Sequence, residues 1–433
     1  MFLKNVYNDI RSRYNIVWSF KGVYLAIISF FSKVPRNIDI LFVSHDVHRN
    51  AKKKDKLYSP LIDPIIESVN EDNKYNILSL ATPFSQHFGA ECFGNVKIHS
   101  YDILVSFLKR MILRGSFSLK YVKNDPLIKA YEKLLVKINP KIIIGTQPSV
   151  ELCIAANRLN IKTYDMQHGL ISDVNYYAIA KRKLINQEGW PDNVLCWDKE
   201  SAVRLERITN GFGDPLIIGH PSYHSKYGKE LHTDQIVKQK KDFEYKNTFL
   251  VTLTYHDYGA TFEDYYYRDL GIPKELITLM LTLPNTFWRI RLHPVQHKFH
   301  FKSVDSLLNK IFKNKNNVNW ELYSDISFGA AISGCTGHIT VSSASALDAA
   351  QNSVPTLFVG CPGVVDYKII KSYFDEYLSS GIMTYVNSID LNNSSFNFFK
   401  TSEISLNSQN KKNTDSERNF LNFIEKIQID INK

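Results

Sequence analysis

Apolar residues come along this chain in short unbroken runs, not in alternation with polar ones. The first, IDILFVSH at 38–45, is followed by YNILSLA (75–81), KIIIGT (141–146), IKTYDMQ (161–167), NVLCWD (193–198) and PLIIG (215–219). Continuous runs of this length fit strands covered on both faces, as in parallel sheets. Stretches with helical spacing lie between most of them; in SVELCIAANRLN (149–160), Val150, Cys153, Ile154 and Leu159 share one face. Strand, helix, strand at this spacing predicts a parallel sheet with helices on both sides.

The pattern breaks at the charged stretch HTDQIVKQKKDFEYKN (232–247) and then begins again. TFLVTLTY (248–255), TFWRIRL (286–292), NVNWEL (317–322), HITVSS (338–343) and PTLFVG (355–360) read as strands, with PKELITLMLTL and VDSLLNKIF as helices between them. The expected architecture is α/β, with two doubly wound domains in tandem over 37–225 and 226–388. Beyond them, 389–433 reads as an Asn/Ser-rich linker, centred on NSIDLNNSSFNFFKTSEISLNSQNKKNTDSE (387–417), and a final helix, RNFLNFIEKIQIDI, packed back on a domain.

Composition adds limits. A chain of 433 residues that is 44% hydrophobic carries more apolar material than one core uses, in keeping with two domains. Its 53 Lys and Arg against 43 Asp and Glu leave a charge of +10, which favours an anionic substrate, an acidic membrane surface or nucleic acid. Five scattered cysteines with no CxxC pair argue against a zinc ribbon or a disulfide framework and fit a reducing, cytoplasmic setting. The longest apolar run, GVYLAIISFF (22–31), is too short to span a bilayer, and no signal-peptide cleavage site follows it. Residues 1–36 read as a helical segment, which fits either an interfacial anchor on an anionic membrane or a helix packed on the protein's own surface.

In an open α/β sheet, ligands bind beyond the carboxyl ends of the strands. SHDVHR (44–49), QHG (167–169), GHPSYH (219–224), YHDYG (255–259), RLHP (291–294) and SSASALD (342–348) all fall at such ends. The three histidines of FWRIRLHPVQHKFHFK invite a metal reading, but Pro294 biases His293 away from the helical backbone that would aim H-x3-H at one ion. Nucleic acid is disfavoured too, because no aromatic-interleaved Lys/Arg module accompanies them. Arg291 and His293 alternate on a strand and so share a face, with His297 and His300 in a surface loop beyond. Ser342, Ser343 and Ser345 stand where a strand turns into a helix, where hydroxyls and N–H groups can hold phosphate or merely cap the helix.

RLHP followed by TVSSASALDAA resembles the R-x-H-P and S-S motifs of bacterial GT-B glycosyltransferases that use CMP-activated acidic sugars, the sialyl-, polysialyl- and Kdo-transferases of capsule and lipopolysaccharide assembly. The layout is more distantly similar to CDP-glycerol glycerophosphotransferases, whose H-G motif QHG matches, and IIGHP (217–221) resembles the G-x-P crossing between GT-B domains. NSVP (352–355) replaces the usual G-x-P after the last motif helix, and SSAS lacks the acidic residue that often precedes the serines of glycerophosphotransferases.

The resemblance implies two Rossmann-like domains facing a cleft and an inverting transfer from a nucleotide-sugar to an oligosaccharide or lipid-linked glycan in O-antigen or capsule biosynthesis. It puts Arg291, His293 and Pro294 on the donor phosphate, and Ser342, Ser343 and Ser345 on that group or the ribose. Tyr255, His256 and Gly259, from the strand end YHDYG, are further candidates for binding the nucleotide or its phosphate, and Asp348 either reaches a ribose hydroxyl or is a solvated helix-face carboxylate. His168 is the first choice of base, since imidazole titrates near neutral pH and Gly169 lets the backbone approach; Asp46 is the second. No metal or cofactor is called for, as no D-x-D stands at a strand end. A nucleotide-sugar epimerase and a non-catalytic glycan- or membrane-binding protein are the competing readings.

Overall fold

The structure is a computed structural model, and it describes residues 24–25, 27–29, 35–45, 48–49, 51–81, 92–94, 96–97, 101–114, 125–171, 187–236, 245–254, 266–267, 270–360, 365–401 and 403–432. These fall into two compact units. Residues up to Arg49, Lys53–Pro221 and those from Asn419 onward form the first; Ser222–Arg418 with residues 51–52 form the second.

In the first unit the apolar runs become β1 (Ile40–Ser44), β2 (Ile77–Ala81), β3 (Ile142–Gly145), β4 (Lys162–Met166), β5 (Asn193–Cys196) and β6 (Asp214–Ile217). All pair in parallel, in the order β2-β1-β3-β4-β5-β6. Every residue of β1, β3 and β5 is buried, which is why these strands carry no polar alternation. The helices begin where short polar side chains satisfy their first N–H groups. Asp125 accepts from Leu127 N–H ahead of α1 (Pro126–Ile138), with a proline at its start, and Ser149 accepts from Leu152 N–H ahead of α2 (Val150–Arg158). Leu134, Leu135 and Ile138 of α1 meet Leu152, Ile154 and Ala155 of α2 over the sheet's Leu41, Val43 and Ile143. Burying each large aliphatic side chain contributes roughly 1.5–3 kcal/mol.

The second unit repeats the plan with β7 (Asn247–Thr252), β8 (Thr286–Arg291), β9 (Val318–Asn319), β10 (Gly337–Thr340), β11 (Thr356–Gly360) and β12 (Met383–Asn387), all parallel in the order β9-β8-β7-β10-β11-β12. Its described helices include α3 (Pro294–Phe299), α4 (Glu321–Asp325), α5 (Phe328–Ile332) and α6 (Ser345–Gln351). Register aligns Thr252 with both Arg291 and Thr340, so three carboxyl-end residues stand level across β8, β7 and β10. Each unit is thus a Rossmann-like doubly wound sheet, and the chain has the two-domain GT-B fold.

Three expectations need correction. NVNWEL is a strand only over Val318–Asn319, because Asn319 Oδ1 accepts from Leu322 N–H at 3.2 Å and turns the chain into α4. The Asn/Ser-rich stretch is not a linker. It forms 3-10 turns at Ser388–Asp390 and Asn393–Phe396, then helices Asn397–Thr401 and α7 (Glu403–Asn432). Aromatic anchors override its polar composition: the rings of Phe396 and Phe399 lie 5.1 and 4.9 Å from that of Phe249 on β7. RLHP is followed by a helix and not a loop, since Pro294 starts α3, which contains His297 and is closed by His300.

The end of α7 packs on the first unit, as its apolar spacing implies. Lys162 and the Tyr164 hydroxyl both donate to Asp430, at 2.9 and 2.7 Å, and Lys141 donates to Ile431 O. Tyr266–Tyr267, in the aromatic stretch 262–271, pairs antiparallel with Ile272–Pro273. Gly271 allows this turn to close against Thr254, whose carbonyl oxygen would lie 1.6 Å from any Cβ at that position. Among the described residues, no helix is long and apolar enough to cross a membrane.

Candidate functional site

A doubly wound sheet binds ligands where its strand order reverses. In the second unit that point lies between β7 and β10, and a network of hydroxyls and one imidazole occupies it. Thr252 Oγ1, at the end of β7, is 2.9 Å from Ser345 Oγ at the start of α6 and 3.0 Å from His338 Nε2 on β10. The same Nε2 is 3.3 Å from Ser345 Oγ, while Nδ1 is 3.1 Å from Thr356 Oγ1 on β11. Ser343 Oγ accepts from Ser345 N–H at 3.2 Å and shapes the turn, and Ser342 beside it is half-buried. Burial pushes the His338 pKa down to about 3, so the ring is neutral.

Arg291 is placed otherwise than expected. It ends β8, and its Nη1 donates to the carbonyl oxygens of Tyr323 and Ile326, at 2.5 and 2.7 Å, thereby closing the carboxyl end of α4. Two residues earlier on the same face, Arg289 Nη1 donates to Ala331 O and Ser333 O, both at 2.7 Å, and closes α5 in the same way. Desolvation lowers the Arg291 pKa only to about 10, against the opposing charges of Tyr223, Asp348 and Asp325, so it stays cationic at neutral pH.

His293 does not share the strand face of Arg291, because the strand ends two residues before it. It caps α3: its Nδ1 accepts from Val295 N–H at 3.2 Å, and its own N–H donates to Gln296 Oε1 at 2.9 Å. That acceptor role puts the ring proton on Nε2. His297 pairs with Asp325 at 3.2 Å, separately from His293, so the three histidines do not act together. Asp348 is no solvated carboxylate. The Tyr223 hydroxyl donates to its Oδ1 at 2.9 Å, and burial raises its pKa to about 7, against the lowering effects of Tyr223 and Arg291.

In the first unit the order reverses between β1 and β3. His45 follows β1, and its N–H donates to Thr146 Oγ1 at 3.4 Å. Gln147 follows β3 with φ at 54°, a conformation held by its N–H donating to Asp165 Oδ1 at 3.0 Å. Its side-chain amide then donates to His168 Nε2 at 2.8 Å, just past β4, which leaves the imidazole proton on Nδ1. The His48 ring lies 5.0 Å from that of His168 and 6.2 Å from that of His45. Burial first, then the charges of His48 and His45, hold the His168 pKa well below 6.5. The buried Gln167 fixes the loop: it accepts from Trp197 N–H and donates to Gly169 O and Ser201 Oγ, at 2.8, 2.9 and 3.0 Å.

The structure therefore brings Ser343, Ser345 and Thr252 together with His338, and His168 together with Gln147, His48 and His45. Asp46, Tyr255, His256 and Gly259 lie outside the described residues. Sequence reasoning missed His338, hidden in the run HITVSS, and Gln147, which no motif marks. Among the described residues, no group of three or more His, Cys, Asp or Glu side chains is arranged to hold a metal ion.

His338 also sets an acid limit on stability. The unfolded chain protonates this imidazole near 6.5 and the folded chain only near 3, so stability is lost as pH falls through 6.5. Between pH 7 and pH 5 this residue alone costs about 2 kcal/mol. Urea denaturation at the two pH values measures it, and His338→Gln is expected to remove that share of the acid loss.

No protein-family model and no curated protein sequence matches the chain. Solved structures match it in fold. The wall teichoic acid polymerase TagF is 12% identical over 99% of this chain and 97% of that one, with a TM-score of 0.55. The UDP-GlcNAc 2-epimerase from Neisseria meningitidis, bound to UDP-GlcNAc, is 13% identical over 90% of this chain and all (100%) of that one, with a TM-score of 0.53. At such identities the likeness speaks for the fold.

Proposed function

We propose that this protein is an inverting GT-B glycosyltransferase that moves a sugar, of the CMP-activated acidic type, from a nucleotide donor to a surface-glycan acceptor. The observation that carries the reading is His168: an imidazole kept neutral and bonded to Gln147 beside the strand-order reversal of one unit, in a chain whose other unit gathers hydroxyls at the corresponding point. The acceptor hydroxyl takes the place of the Gln147 amide and donates to His168 Nε2. As its oxygen bonds to the anomeric carbon, the bond from that carbon to the donor phosphate breaks and the proton passes to Nε2.

Charge then builds on the departing phosphate oxygen. Ser343, Ser345 and the Nε2–H of His293 are the donors for it, and the nearby Arg291 cation, already committed through Nη1 to two carbonyls, adds a favourable field. Asp348 and Tyr223 brace the helix that carries Ser345. Because charge is stabilised by these groups, turnover in EDTA is expected to equal turnover without it; strict dependence on a divalent ion, measured by nucleotide release, would count against the mechanism.

The donor is tested by thermal stabilisation with CMP-, CDP-, UDP- and GDP-linked ligands. CMP-linked sugars are expected to raise the melting temperature most. A preference for CDP-glycerol points to transfer of glycerol phosphate, and no response to any of them removes the transferase reading. Contact with an anionic membrane has its own test: deleting residues 1–33 releases the protein from phosphatidylglycerol-containing vesicles in flotation if the segment is an interfacial anchor, and only lowers the melting temperature if it is a packed helix.

A further inference from the structure

His338 has no exposed surface, yet both ring nitrogens meet hydroxyls: Thr356 at Nδ1, Thr252 and Ser345 at Nε2. Its flanking positions on β10 are buried residues, and Phe328 packs edge-on against it at 5.9 Å. An apolar side chain would fill this place without the cost of burying a polar ring, so what an imidazole adds here is its hydrogen bonds.

A neutral imidazole has one donor and one acceptor, which allows two arrangements. With the proton on Nδ1, the ring donates to Thr356, and Nε2 must accept from Thr252 or Ser345. The remaining hydroxyl hydrogen then fills the 2.9 Å gap between Thr252 Oγ1 and Ser345 Oγ, and both hydroxyls point inward. With the proton on Nε2, the direction reverses. Thr356 donates to Nδ1, Nε2 donates to Thr252, Thr252 donates to Ser345, and the Ser345 hydrogen is released outward. Pointing the Ser345 hydrogen outward in the first arrangement would leave two oxygens 2.9 Å apart with no hydrogen between them.

We infer that His338 is a positioning residue whose tautomer sets the direction of the Ser345 hydroxyl, and that an anionic phosphate oxygen on Ser345 selects the Nε2–H form. This rests on the proposed donor site. Each bond in the aligned chain polarises the next, so a neutral ring strengthens the Ser345 donor without placing a charge in the sheet.

The test is ¹⁵N NMR of histidine-labelled protein titrated with CMP, with the His338 signals assigned by their loss in His338→Gln. On saturation the protonated nitrogen is expected to change from Nδ1 to Nε2. Steady-state kinetics supply the second measure. His338→Leu should raise the donor KM about tenfold, the equivalent of one hydrogen bond, with kcat within about twofold. His338→Gln, which offers a donor and an acceptor, should recover most of that KM. A melting curve for each variant separates these effects from misfolding. If CMP binds the wild type while the tautomer is unchanged and His338→Leu keeps its KM, the inference is overturned and the donor site stands. If no nucleotide of the panel binds the wild type, both fall.

Discussion

Replacing His168 by alanine is expected to lower kcat by a factor on the order of 10²–10⁴ and to leave the thermal response to the nucleotide panel unchanged. The expectation follows from the local geometry. Gln147 Nε2 donates to His168 Nε2 at 2.8 Å, so that nitrogen carries a lone pair and can take a proton from an acceptor hydroxyl. Burial, His48 and His45 keep the ring uncharged, so the proposed base is in its active form at neutral pH and below it. As the pKa is lowered, the acid limb of the kcat profile moves down with it: turnover should hold as pH falls through 6.5 and decline only well below that value. His48→Ala removes one source of that lowering and should move the limb back up. Gln147→Ala, which removes the side chain that the acceptor displaces, should affect KM more than kcat. Wild-type turnover in His168→Ala would exclude it as the base.

Arg291→Ala is expected to destabilise the second unit by about 3–5 kcal/mol, because two carbonyl oxygens lose a charged donor at once. Arg291→Lys should restore only part, since one ammonium nitrogen can also donate to two carbonyls, as Nη1 does, but is more strongly hydrated and so costs more to bury. His293→Ala should cost only about 1 kcal/mol, the worth of a helix cap, and express itself mainly as weaker donor binding. Urea denaturation of the three variants separates the brace from the ligand. A loss below 1 kcal/mol for Arg291→Ala would show that the arginine of R-x-H-P does not hold α4 in place.

Much of the fold was legible because its strands are buried on both faces. ILFVS, IIIG and TLFVG carry a polar residue at one end at most and none inside to obscure them. β12, MTYVN, escaped because it is an edge strand whose last four residues are only half-buried, so it lacks that signature. The Asn/Ser-rich region misled because composition averages over the few aromatic residues, Phe396 and Phe399, that anchor it.

At the site, the positions could be found from strand ends, but the directions of the side chains could not. Arg291 turns to α4, 32 residues onward, and Asp348 turns to Tyr223, 125 residues earlier. Neither pairing leaves a local trace in sequence. His338 was concealed for the opposite reason: it sits within a run that reads as an ordinary buried strand, and its role lies in the hydroxyls that folding gathers around it.

The most direct test of a nucleotide-sugar transferase is to incubate the protein with CMP-sialic acid or CMP-Kdo, alone and with capsule and lipopolysaccharide oligosaccharides, and to follow the donor by ³¹P and the sugar by ¹³C NMR. The expected result is release of CMP that depends on the oligosaccharide, with inversion at the anomeric carbon of the product and near-complete loss in His168→Ala. Isomerisation of a nucleotide-sugar in the absence of any acceptor, or no reaction of any donor in the panel, would contradict it.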